Sequence, residues 1–147
     1  MSITHRTRTF PIFLVFILTG CVTNTASELR RDPTSFDGQV NVARTPEDTY
    51  RMIREISREC LEQAPLGTPV ISEGDFDVQT KTGQILQRMI AQGVLLNMTI
   101  IDLYPADSGG TNLKLYTIKG WKSIGVDMPT KDDLVRWISG DKTCWRK

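Results

Sequence analysis

Apolar and polar positions change period several times along this chain, and each change predicts an element. Residues 10–18 are apolar apart from Pro11. From Cys21 to Gly38 the residues are small and polar without a sustained period, which reads as a flexible tether; coil scaling gives it an average span of about 20–25 Å. Phe36 is the first residue there able to touch a folded domain. Gln39-Val40-Asn41-Val42 alternates and predicts a short strand with Val40 and Val42 inward. Thr45-Pro46-Glu47-Asp48 is then a helix start: a capping hydroxyl, a proline whose missing N–H has no intrahelical partner, and acids at the positive end of the helix dipole. Tyr50, Ile53, Ile56 or Ser57, Cys60 and Leu61 follow at helical spacing, and the helix is expected to end near Gln63. Its other face pairs Glu47 with Arg51, Arg51 with Glu55 and Glu55 with Arg58, as a solvated face does; each pair contributes only about 0.2–0.5 kcal/mol.

Residues 64–69, with two prolines and Gly67, read as a loop, after which the period becomes 2. Residues 74–79 predict a strand with Phe76 and Val78 inward, Lys81-Thr82-Gly83 a hairpin turn, and residues 84–91 the returning strand. Residues 85–91 also fit a helical turn with Ile85, Leu86, Met89 and Ile90 on one side; the strand is preferred. Residues 93–103 suit a central strand ending before Pro105, and the Asp107–Gly110 turn feeds a strand over 111–118 with Leu113 and Leu115 on one face and Lys114 and Tyr116 on the other. A second helix starts at Thr130, with Asp133 completing a capping box, Leu134, Trp137 and Ile138 as its buried stripe and Gly140 to end it. The expected fold class is α+β: a mostly antiparallel sheet of four to five strands with two helices on one face, over residues 39–147. In topology alone this order resembles helix-grip domains, including those of some outer-membrane assembly lipoproteins.

Charge identifies the leader. Residues 1–8 carry His5, Arg6 and Arg8 and no acid, ahead of nine residues that are mostly apolar. As a helix those nine span about 14 Å, too short for a hydrocarbon core of about 30 Å. The run ends on Leu18-Thr19-Gly20-Cys21, which resembles the bacterial lipobox. The resemblance implies cleavage after residue 20, diacylation of the Cys21 thiol, and attachment to the bilayer of the cell envelope; the competing reading is an ordinary secretory signal. Two or three acyl chains hold a protein stably on a membrane where one does not. With Val22 in place of the Asp that marks inner-membrane retention in the family pattern, the resemblance points to the outer membrane, facing the periplasm.

Removing residues 1–20 takes away two of the 18 Lys and Arg and none of the 17 acids, leaving 16 bases against 17 acids. No excess of charge is left to suggest nucleic acid as a partner. The single histidine goes too, which excludes Ser-His-Asp and Cys-His catalysis and His-ligated metal sites. Carboxylates, lysines and tyrosines could still serve a hydrolase, but no spacing brings them together, and no cofactor or metal motif is present. With Cys21 committed to lipid, Cys60 and Cys144 remain in the oxidising compartment that the leader implies and are expected to form a disulfide; two buried free thiols are the alternative.

Three short patterns have plain structural readings. Asp75, Asp77 and Gln79 match the start of a calcium loop but lack its glycine and interleave with apolar residues; Asn97-Met98-Thr99 falls in a strand; Gly109-Gly110-Thr111 is a turn. The candidate binding surface is Tyr116, Lys119, Trp121 and Lys122, aromatics and cations around Gly120 that suit a glycan strand, an anionic polymer or a partner protein. The functional expectation is a lipid-anchored, non-enzymatic module that binds an envelope protein or a cell-wall component. The alternative is a carrier with a small hydrophobic cavity between sheet and helices.

Overall fold

The computed structural model describes residues 25–62, 67–119 and 126–144. In chain order the elements are α1 (Ala26–Arg31), β1 (Phe36–Val42), α2 (Pro46–Cys60), β2 (Val70–Asp77), β3 (Thr82–Ala91), β4 (Val94–Pro105), β5 (Thr111–Thr117) and α3 (Lys131–Ile138). The strands form one sheet in the order β1-β5-β4-β3-β2, antiparallel throughout. The α+β class, the five-stranded sheet, the two helices on one face and the Cys60–Cys144 disulfide agree with the sequence pattern.

Local chemistry sets the helix limits. Thr45 Oγ1 accepts the Asp48 N–H at 3.2 Å with Pro46 in the first turn of α2. Thr130 and Asp133 form the full capping box of α3, and Gly140, at φ +98°, stands one residue past its C-cap. The faces these helices bury meet one side of the sheet. Ile53, Ile56 and Leu61 of the α2 segment and Leu134 and Trp137 of α3 pack on Ile85, Ile101, Leu103, Leu113 and Leu115. Each fully buried aliphatic side chain contributes about 1.5–3 kcal/mol. Within this layer a buried polar chain ties sheet to helix: Thr99 Oγ1 donates to Gln87 Oε1 at 2.8 Å, and Gln87 Nε2 donates to the Leu61 carbonyl at 3.1 Å, while the buried Ser57 hydroxyl of α2 has no hydrogen-bond partner among the described residues.

The structure departs from the expected elements in three places. The stretch read as a tether contains α1, whose capping box pairs Thr25 with Glu28, and the first three residues of β1, which starts at Phe36 instead of Gln39. Leu29 buries itself on Leu86 and Ile100, on the sheet face opposite α2 and α3. A six-residue helix with Ala26 and Leu29 as its only apolar residues is too short to show a period, and its order comes from the sheet beneath it. Second, β2 starts at Val70 instead of Gly74, and its turn to β3 spans 78–81 instead of 81–83. Asp77 Oδ1 accepts the N–H groups of Gln79 (2.7 Å) and Thr80 (3.2 Å), which ends the strand. Val78 therefore lies in the turn, 67% exposed, and not inward. Phe76 does turn inward, its ring 5.1 Å from that of Tyr50. Third, β4 runs through Pro105, which pairs with Thr111 at the start of β5. Residues 84–91 are strand, not helix.

Candidate functional site

A surface cleft lies at one end of the sheet. There the β1–α2 loop, the first turn of α2, the β2–β3 turn and Gly110 surround a cleft of about 460 Å³. Ala43, Pro46, Phe76 and Val78 give it an apolar lining, and Arg44 and Lys81 stand at its rim. The sequence builds it by small steps. Asp77 captures two amides of the turn and so throws Val78 out of the sheet. Gly110 sits at φ +95°, where a Cβ would lie 2.3 Å from the Val42 carbonyl oxygen, so only glycine lets the β4–β5 turn close on the end of β1. Thr111 Oγ1 donates to the Arg44 carbonyl at 2.8 Å and accepts from Thr49 Oγ1 at 3.2 Å, fixing the backbone that carries Arg44.

The electrostatics are lopsided. Arg44 and Lys81 make no ion pair among the described residues, whereas Glu47, the carboxylate of the lining, is neutralised by Arg51. The N-terminus of α2 adds positive potential, within reach of the first turn. Such a cleft suits an apolar side chain carried next to a carboxylate. Nothing in its lining forms a nucleophile–base pair, and among the described residues no three His, Cys, Asp or Glu side chains cluster as metal ligands.

The residues singled out from sequence take other places. Tyr116 lies on the α1 side of the sheet, its ring 5.6 Å from Phe36, and burial raises the pKa of its hydroxyl. Lys119 Nζ donates to Asp37 Oδ1 at 2.9 Å, and Asp37 Oδ2 accepts the Lys131 N–H at 2.9 Å, so Lys119 belongs to a junction fastening α3 to β1. Trp121 and Lys122 lie outside the described residues, as does Cys21 with the leader. Asp75 and Asp77 both stand on β2, the latter at its end and spent on backbone amides.

On the α1 side a second polar cluster is fully engaged. Asp102, 2% exposed, receives Arg30 in a two-point pair, Nε to Oδ2 and Nη2 to Oδ1, both 2.7 Å. Arg30 Nη2 also donates to Gln84 Oε1 at 2.9 Å, and the Tyr104 hydroxyl donates to Asp102 Oδ2 at 3.3 Å. Hydrogen bonding to Asp102 raises the Arg30 pKa further, and burial raises that of Tyr104, helped by the Asp102 charge. With every partner supplied from within, this cluster fastens α1 to the sheet and offers a ligand little.

The cleft escaped the sequence reading because Arg44 belongs to no pattern there, Lys81 reads as part of a hairpin turn and Val78 as an inward strand residue. The available signal was Asp77, placed to bond the amides of Gln79 and Thr80 and so end the strand two residues early. Comparison of the chain with protein-family models, with curated proteins and with solved structures gives no match.

Proposed function

We propose that this protein is a lipid-anchored module of the bacterial cell envelope that binds, without catalysis, an acidic and partly apolar segment of an envelope protein in the cleft between Arg44 and Lys81. The observation that carries the reading is an apolar lining flanked by two cations that have no ion pair among the described residues. The short apolar leader ending in Leu18-Thr19-Gly20-Cys21 supports the anchor, and Val22, in place of the Asp of inner-membrane retention, supports the outer membrane as the address. A carrier would need room between sheet and helices, and Ile53, Ile56, Ile101, Leu113 and Trp137 fill that layer.

The test is crosslinking in native membranes followed by identification of the captured partner, comparing the wild type with an Arg44→Glu/Lys81→Glu pair. Both side chains are exposed, so the variant should keep its thermal stability. Reversing both charges should weaken capture by roughly ten- to a hundredfold, the effect of about 1.4–3 kcal/mol. Equal capture by both proteins would refute the cleft as the binding site. Capture of cell-wall fragments in place of a protein would move the assignment to a carboxylate-bearing wall component.

A further inference from the structure

The end of β3 away from the cleft is a hairpin whose tip is uncharged; Arg88, just behind it on the face of Ile90, bonds Asn97 Oδ1 at 3.1 Å and pairs with Glu73. From Met89 to Ile101 every residue is uncharged, and the connection at Gln92-Gly93 is a two-residue turn with φ of 50° and 79°. Ile90, Val94 and Leu95 stand exposed there at 37, 46 and 49%. Ile90 and Leu95 pair directly across the strands. Alternation along β3 puts Ile90 on the face of Leu86, which is the face that α1 covers. The other face of the hairpin is backed by Met89, Leu96 and Met98 against Val70, Val126 and Met128, so the tip is supported.

We infer that this hairpin tip rests in the interfacial layer of the bilayer that holds the protein, an inference that depends on the acylated Cys21 proposed above. Four residue steps join Cys21 to Thr25, where the described chain begins, and fully extended they reach only about 14 Å. From Leu86, under α1, to Ile90 at the tip is about 13 Å along β3. The link is thus about as long as the climb from the tip to α1, and an anchor at Cys21 holds α1, and with it this face of the sheet, near the membrane. Ile90 and Leu95 on this face, with Val94 beside the turn on the other, give the tip a small uncharged apolar patch, and the acyl chains supply the affinity that so small a patch lacks.

The experiment uses the full-length acylated protein, its acylation checked by intact mass. It carries an environment-sensitive fluorophore at Leu95→Cys or, on the exposed side of α3, at Val135→Cys, and is reconstituted into vesicles of phosphatidylethanolamine and phosphatidylglycerol. The label at 95 should shift to the blue and be quenched by a lipid-borne quencher, while the label at 135 stays water-like. A water-like label at 95 on acylated protein overturns the tip contact and leaves the anchor standing. A shift at 95 that appears without vesicles and grows with protein concentration overturns it in favour of a second copy of the chain. A chain found unacylated overturns both readings.

Discussion

At the residue scale, Asp133 concentrates several functions in one carboxylate. Its Oδ2 accepts the Thr130 N–H at 2.9 Å and hydroxyl at 2.7 Å, and its Oδ1 accepts Arg136 Nη2 at 2.5 Å. Arg136 in turn donates to the Thr143 carbonyl at 2.8 Å, beside Cys144. Burial pushes the carboxyl pKa up, but the bonds from Arg136 and Thr130 outweigh it and the net shift is downward. A folded pKa below the unfolded one of about 3.9 means stability that is complete above that pH and lost as the pH falls through the folded value. Asp133→Asn should therefore cost about 1–2 kcal/mol at neutral pH and progressively less below about pH 4, read from urea midpoints across that range. A cost that stays constant with pH would mean that the charge has no part in it. Caps of this kind were legible in the sequence because all their atoms lie within four residues. The position of Val78 was not, since burial there depends on where the strand stops, and one side chain, Asp77, decides that.

At the scale of elements, length and locality separate what could be read from what could not. The stripe of α2 and the hairpins joining β2 to β3, β3 to β4 and β4 to β5 follow from period and turns. The pairing of β1 with β5 closes across the whole intervening chain and leaves no local signature. The same holds for α1, which depends on Asp102, 72 residues away from Arg30. The disulfide acts between elements, joining the end of α2 to the tail after α3 across a separation of 84 residues. In the chain-entropy model a loop of that size contributes about 4–5 kcal/mol by restricting the unfolded chain. Domains of this size are stable by only about 5–15 kcal/mol, so reduction removes a large share. Reductant should lower the urea midpoint markedly while leaving the sheet signal of the native protein in place at low denaturant. An unchanged midpoint would place the stabilisation in the packing of Cys60 against its core neighbours.

At the scale of the whole molecule, β3 is the axis. Its ten residues run from the turn that holds Val78 and Lys81 of the cleft to the turn that carries the uncharged tip, a separation of about 30 Å. If the tip lies at the bilayer and the link from Cys21 reaches only as far as α1, the cleft faces away from the membrane, toward whatever the envelope presents. The alternative pose lays the α1 face flat on the lipid, with Phe36, Tyr104 and Tyr116 at the headgroups and the cleft brought down beside them. Energy transfer separates the two. A donor dye at Val78→Cys, compared with one at Leu95→Cys, should transfer far less to acceptor lipids in the same vesicles, because the upright pose puts it about 30 Å farther from them. Equal transfer from the two positions would select the flat pose. The cleft would then recognise a ligand only at the membrane surface, where its two cations would compete for anionic headgroups before any partner arrived.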